Sequence, residues 1–455
     1  MVMIRSELEH IDKQHIWHPF TQHNVWDSEP ILIFERGEGN ELIDVSGKRY
    51  LDGISSLWCN VHGHAEPRLL AALHQQVDSL CHATLLGSSH QPIIELTAEL
   101  LPHLPPGLSR VFYCDGGSVA VEAALRMAVE FWQKQSNETL RRKKKLVSLS
   151  NGYHGDTLGS VGLGYLDIFH QHVQAVVVPS IKIDPPHVFR FYRGMSDSES
   201  VRASLEVLEK LFVEQGAEIA ALVIEPVVQG AAGIWIQPLE FVRGVERLCR
   251  AHGVLLICDE IATGFGKTGA MFASQLTGVT PDLMTMGKGL SAGYLPIAAV
   301  AATEEIFSAF RGAPEERKTF FFGQTFSGNP LAARVSTENL RLFRQRAVVE
   351  SIPAKAEKLA SLLAEQIAPC PYVDEIRQLG LMAGIELTSI PGGREAYPVN
   401  DLVGHRIALA ARERGVIIRP LGNVMVLMPS LSFSNSESEQ LVSVLRESLI
   451  AVCGA

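Results

Sequence analysis

From residue 66 to residue 330 the chain alternates between two spacings of apolar positions. Short apolar runs of strand length fall at 111–114, 146–149, 175–178, 219–224, 254–258 and 283–286. Segments with helical spacing lie at 67–80, 91–103, 123–135, 199–214 and 238–252. The strand runs are continuous, not alternating, which predicts strands buried on both faces, as in a parallel sheet. Strand following helix in this way predicts a mostly parallel sheet with helices on both sides.

The ends of the chain read differently. Residues 1–30 are polar and aromatic, and 31–34, 42–45 and 50–52 form a β-meander broken by glycine- and asparagine-rich turns. After 330 a long helical stretch, 331–368, precedes short strands at 372–376, 382–387, 416–418 and 424–428, and a helix closes the chain. The expected organisation is α/β, with an arm and meander (1–65) joined to the small lobe, a large domain (66–330) and a smaller α+β domain (331–455).

Charge and cysteine content narrow the partners. A formal net charge of -10 disfavours nucleic acid or an anionic membrane, and the basic run 141–145 reads as a solvated helix end. Seven scattered cysteines, with no CxxC pair, suit a reducing compartment. No signal-peptide pattern or membrane-length apolar stretch is evident, so the cytoplasm is expected. No metal-ligand spacing stands out.

The chemistry gathers at predicted strand ends, where open α/β sheets bind ligands. Asp259 and Glu260 close the run 254–258, and Lys288 sits between Gly287 and Gly289 just past 283–286. Gly116, Gly117 and Ser118 join a strand to a helix and make an anion site from amide N–H groups and a hydroxyl. The turn lacks both the P-loop lysine and the third glycine of a dinucleotide fingerprint, so a phosphate on a smaller cofactor fits better. Tyr153 follows the run 146–149 and is placed to stack on a flat ring, with Ile261 beneath it. His154 serves equally as a polar neighbour or a core histidine. Glu225, before Pro226, puts a further acid at a strand end. An acid and a lysine so arranged suit pyridoxal 5'-phosphate, which needs an amine for its covalent link and a carboxylate at its ring nitrogen. Either residue alone would be read as a helix cap or a surface lysine.

Taken together these residues resemble the class III (ω-amino acid) aminotransferases of fold type I. The resemblance runs through Gly116-Gly117-Ser118, Gly152-Tyr153-His154-Gly155, Ile224-Glu225-Pro226, Asp259-Glu260-Ile261, 263–269, Gly287-Lys288-Gly289 and 325–330, which is nearly the whole chain. It implies that Lys288 holds the cofactor, Asp259 pairs with its pyridine nitrogen, and Gly117 and Ser118 hold its phosphate. It further implies that Gln324 and Thr325 reach the phosphate of a neighbouring subunit, giving a homodimer with shared sites.

A narrower resemblance rests on Trp17 to Gln22, Ser55 to Trp58, 151–157 and Arg419 to Gly422. It is to the subgroup that aminates 8-amino-7-oxononanoate to 7,8-diaminononanoate in biotin synthesis. Arg419 would grip the substrate carboxylate, Trp58 would line the channel for its methylene chain, and Phe20, Tyr153, Lys288 and Gly323 would complete the substrate site. The implied amino donor is S-adenosylmethionine. Phe20, Leu57 and 293–298 depart from that pattern, and L-lysine is the alternative donor. Other readings are a class III enzyme acting on a diamine or ω-amino acid, an aminomutase of the same fold, and a non-catalytic descendant. The intact set Ser118, Tyr153, Asp259 and Lys288 weighs against the last.

Overall fold

The structure, a computed structural model, describes residues 3–454. Its centre is a seven-stranded sheet in the order Leu108–Cys114, Ala298–Thr303, Leu283–Met286, Leu255–Asp259, Ile219–Ile224, Lys145–Leu149, Ile181–Ile183. Only Ala298–Thr303 runs against its neighbours. Ile219–Ile224 and Leu255–Asp259 are buried along their whole length, as continuous apolar runs demand. Helix Gly117–Gln133 lies against this sheet through Ala120, Ala123, Ala124 and Ala128, whose small side chains let the backbone approach closely. The carboxyl ends of the parallel strands therefore open on one side and feed the loops that carry the acids, the lysine and the glycine turn.

Three smaller sheets complete the molecule. The meander Phe34–Glu38, Glu41–Asp44 and Arg49–Asp52 is extended by Val416–Ile417, which pairs in parallel with Arg49–Asp52. This pairing ties the first part of the chain to its last part. Val373–Leu379, Met382–Leu387, Val424–Leu427 and Arg419–Leu421 form an antiparallel sheet, and Val228–Gln229 pairs with Trp235–Ile236. The chain ends in helix Asn435–Cys453. Among the described residues, no helix is long and apolar enough to cross a membrane.

Five sequence expectations change, the first being the opening strand of the meander, which is Phe34–Glu38 and not 31–34. The strand expected at 175–178 is not formed: Gln171–Val176 is a 3-10 helix, Val178 is 80% exposed, and the sheet edge is Ile181–Ile183. The run 175–178 is the more apolar of the two, and Pro179-Ser180 separates it from the strand that forms. The helical stretch 331–368 is two helices, Pro330–Gln345 and Val348–Gln366, broken at Ala347 in the left-handed region (φ 46°) with no glycine to announce it. The basic run is not simply solvated. Lys143 is buried, and its ammonium donates to the carbonyls of Gly216 and Ile219. Strand Ala298–Thr303, rich in alanine, is additional to the expected set.

A buried lysine braces the loop between the meander and the large sheet. Lys267 donates to Ser55 Oγ (2.9 Å), the Asn60 carbonyl (3.3 Å) and the Pro429 carbonyl (2.9 Å). Its full burial pushes the amine down to about 7. Lys267→Met keeps the volume and removes every donor. Leaving buried carbonyls unpaired costs about 1–3 kcal/mol each, so the variant should unfold at a lower temperature than wild type. An unchanged melting temperature by calorimetry would contradict this role.

Candidate active site

Nine of the residues singled out in the sequence meet around one cavity of about 210 Å³ at the carboxyl edge of the large sheet. They are Trp58, Gly117, Ser118, Tyr153, His154, Glu225, Asp259, Ile261 and Lys288, joined by Gly155 and Ala262. Asp259 ends its strand and is nearly inaccessible. Its Oδ2 lies 2.7 Å from His154 Nδ1, and its Oδ1 accepts the Thr285 hydroxyl (2.9 Å) and the Ile261 amide (3.1 Å). The His154 ring is thus a polar neighbour of the acid rather than a plain core residue. Glu260, the next residue, turns away: it accepts Thr263 Oγ1 and the amides of Ala273 and Ser274, capping the helix Ala273–Thr277. The paired carboxylates of the sequence therefore have separate tasks.

Glu225 accepts the amides of Tyr153 (3.1 Å) and Gly230 (2.9 Å), and burial pushes its carboxyl up to about 7. The Lys288 amine is held below its ordinary value by burial, with Asp259 and Glu225 opposing the shift. Its Nζ lies 5.3 Å from the centre of the Trp58 ring. The lysine backbone is in the left-handed region (φ 38°), a strained conformation for a side chain of this size. Gly289, the residue after it, has no room for a side chain, because a Cβ there would lie 2.7 Å from Phe265 Cβ.

The cavity is also lined by the start of helix Gly117–Gln133, whose first-turn amides have no acceptor within the helix. The segment 155–160 folds over this turn: Ser118 Oγ accepts the Asp156 amide (3.2 Å), and Glu122 accepts the Gly159 amide (2.7 Å). Gly155 has φ 117°, and a Cβ there would overlap the Ser118 hydroxyl. The closeness of the two loops thus depends on this glycine. Tyr153 donates its hydroxyl to Asp156 (2.6 Å), and its pKa is raised, chiefly by burial.

The remaining predicted site residues lie off the cavity wall. Arg419 is half-buried on the strand Arg419–Leu421, where it interacts electrostatically with the Tyr153 phenol. Among the described residues it has neither an ion-pair partner nor a side-chain hydrogen bond. Phe20 is 61% exposed and packs edge-on against Phe169 at 6.1 Å. Gln324 bonds within its own loop, to Ser327, and Gly323 has open space around it. Thr325 shares that loop, so Phe20, Gly323, Gln324 and Thr325 do not reach the cavity of their own chain.

The sequence reasoning passed over Thr285, which stands opposite Asp259 in the parallel register. A hydroxyl in an otherwise apolar buried strand, Leu-Met-Thr-Met, was the available signal, since such a group needs a partner.

The model of the aminotransferase class-III family matches residues 22–449. The chain belongs to the class-III aminotransferases. A relative from Nitratidesulfovibrio vulgaris, named adenosylmethionine-8-amino-7-oxononanoate aminotransferase, is 45% identical over 98% of this chain and 82% of its own length. The crystal structure of the Methanocaldococcus jannaschii protein of that name superposes with a TM-score of 0.92 at 34% identity, covering 99% of this chain and 100% of that one. An omega transaminase from Pseudomonas jessenii in complex with PMP has a TM-score of 0.90 at 31% identity, covering 98% and 99%. An α/β aminotransferase of fold type I is what both the motifs and these likenesses describe.

The site makes a pH prediction. The raised Glu225 carboxyl is protonated in the folded chain and ionised in the unfolded one between pH 4.5 and about 7. Its contribution to stability is present below pH 4.5 and is lost as the pH rises through 7. Melting temperatures of wild type should therefore fall relative to Glu225→Gln across this window. Parallel curves would contradict the assignment.

Proposed function

We propose that this class-III aminotransferase uses pyridoxal 5'-phosphate to transfer an amino group to the ketone of 8-amino-7-oxononanoate, forming 7,8-diaminononanoate. The observation that carries the substrate reading is Arg419. It is a half-buried guanidinium beside Tyr153, with no acidic partner among the described residues. A cation left unpaired at the approach to a cavity is suited to the distal carboxylate of a long substrate. The face of Trp58 offers an apolar wall for the methylene chain. The names of the relatives in Nitratidesulfovibrio and Methanocaldococcus support the same reading.

The cavity residues fit the cofactor. The first-turn amides of helix Gly117–Gln133 and the Ser118 hydroxyl would hold its phosphate, Asp259 would face its pyridine nitrogen, and Tyr153 and Ile261 would flank its ring. When bound, pyridoxal 5'-phosphate supplies the carbonyl that takes up the amino group and the electron sink that lets a neighbouring carbon give up its proton. Lys288 would hold the cofactor, and its amine would be free to act on the substrate when the cofactor carries the substrate's amino group. Its Nζ then moves a proton as base and acid, a task favoured by the depression that burial produces. The His154 and Thr285 contacts hold in place the Asp259 carboxylate that would face the ring.

The proposal extends to a homodimer in which Gln324 and Thr325 of each subunit reach the other's phosphate cradle. Their distance from their own cavity supports it, as do the exposed Phe321 (74%) and Phe326 (58%) on the same segment. The proposed donor is S-adenosylmethionine and the proposed compartment the cytoplasm. L-lysine is a second donor reading, favoured by Phe20, whose ring carries no hydroxyl to offer a donor molecule.

Lys288→Ala should fold as wild type, retain no coenzyme after borohydride trapping by intact mass, and lose turnover by at least about 10³-fold. An active Lys288→Ala protein would refute the mechanism. Arg419→Met should lower kcat/KM for 8-amino-7-oxononanoate by about 10–100-fold, the worth of a charge-assisted contact, with little effect on the donor half-reaction. Equal losses in both half-reactions would remove Arg419 from the carboxylate site. Offering S-adenosylmethionine and lysine separately, with diaminononanoate formation followed, decides the donor.

A further inference from the structure

The turn that presents Lys288 is held from behind. Lys288–Ser291 is a single 3-10 turn, and its carbonyls are buried with the residues around them. Asn339, fully buried in the middle of helix Pro330–Gln345, donates its amide nitrogen to the carbonyls of Gly289 (2.9 Å) and Leu290 (2.9 Å). Both of its amide hydrogens are used there, and its Oδ1 lies 2.9 Å from His62 Nε2. An amide oxygen only accepts, so His62 must present Nε2–H. Burial pushes this imidazole down to about 4, which leaves it neutral and able to keep that tautomer. The ring is itself fixed edge-on against Phe343 at 5.4 Å. His62 stands four residues after Trp58, in the same loop.

The helix bearing Asn339 is well anchored. Asn329 Oδ1 accepts the amides of Leu331 (3.0 Å) and Ala332 (3.2 Å) at its N-terminus, and Pro330 occupies the first helical position. The helix is thus a rigid base from which a single amide reaches the turn after the lysine.

We propose that Asn339 is a positioning residue for Lys288, and that His62 fixes the Asn339 amide so that the Lys288 turn and the Trp58 loop keep one mutual geometry. The strained backbone of Lys288 needs support of this kind, because a left-handed lysine persists only where its surroundings over-determine it. Asn339 touches neither the cavity nor any reacting atom; it acts through the two carbonyls. The inference rests on Lys288 as the attachment lysine.

Asn339→Leu removes the donors at nearly constant volume. In the reconstituted protein it should shift the pH midpoint of the visible coenzyme band by at least about half a pH unit, since one unit equals only 1.36 kcal/mol of differential interaction. It should also lower kcat about tenfold while KM for the carboxylate substrate stays within twofold. His62→Phe should shift the band in the same direction by less, and His62→Gln, which keeps an amide N–H for Asn339, should recover most of that shift. A folded Asn339→Leu protein with the wild-type midpoint and kcat overturns the proposal. If Asn339→Leu does not fold, a wild-type midpoint in His62→Phe overturns it. A wild type that traps no coenzyme at Lys288 sinks the underlying reading as well; a wild type that traps it beside silent variants sinks this inference alone.

Discussion

The site depends on keeping a carboxylate in a place that water scarcely reaches. Removing an ionised acid from water costs several kcal/mol unless hydrogen bonds replace the lost hydration. Asp259 receives that replacement from separate parts of the chain: His154 from the loop after one strand, Thr285 from the next strand, and the Ile261 amide from its own turn. Each donor is useful only at one register and one loop conformation. The sheet order, the parallel pairing of Asp259 with Thr285 and the fold of 151–157 are therefore constrained together.

Around this acid the other charges adjust to one another. Glu225 is pushed toward neutrality and the Lys288 amine away from full protonation, both by burial. A lysine poised in this way can take a proton as well as give one. The strained turn that presents it, the glycine that follows, and the buried amide of Asn339 behind it belong to the same arrangement. Lys267 braces the loop that carries Trp58 from another direction, through Ser55 and the carbonyls of Asn60 and Pro429.

Much of this was legible because the relevant signals are local. Continuous apolar runs ending in an acid, a glycine-flanked lysine and a glycine-serine turn marked the strand ends that meet at the cavity. Helix Asp197–Gln215 and strand Met382–Leu387 fell where periodicity placed them, within two residues. What was not legible depends on distant partners. The role of His154 required knowing that Asp259 lies 2.7 Å away. The break at Ala347 has no glycine or proline, and the edge strand Ile181–Ile183 was hidden beside the more apolar 175–178. Lys143 looked like surface charge because nothing in its neighbours reveals the carbonyls of Gly216 and Ile219.

The central claim is that the Asp259 network exists to hold a protonated pyridine nitrogen. The most direct measurement is the nitrogen-15 chemical shift of ring-labelled pyridoxal 5'-phosphate bound to wild type and to Asp259→Asn, near pH 7.5. The account predicts a pyridinium shift in wild type and a neutral-pyridine shift in the variant. A neutral ring nitrogen in wild type, or the same shift in both proteins, would contradict it.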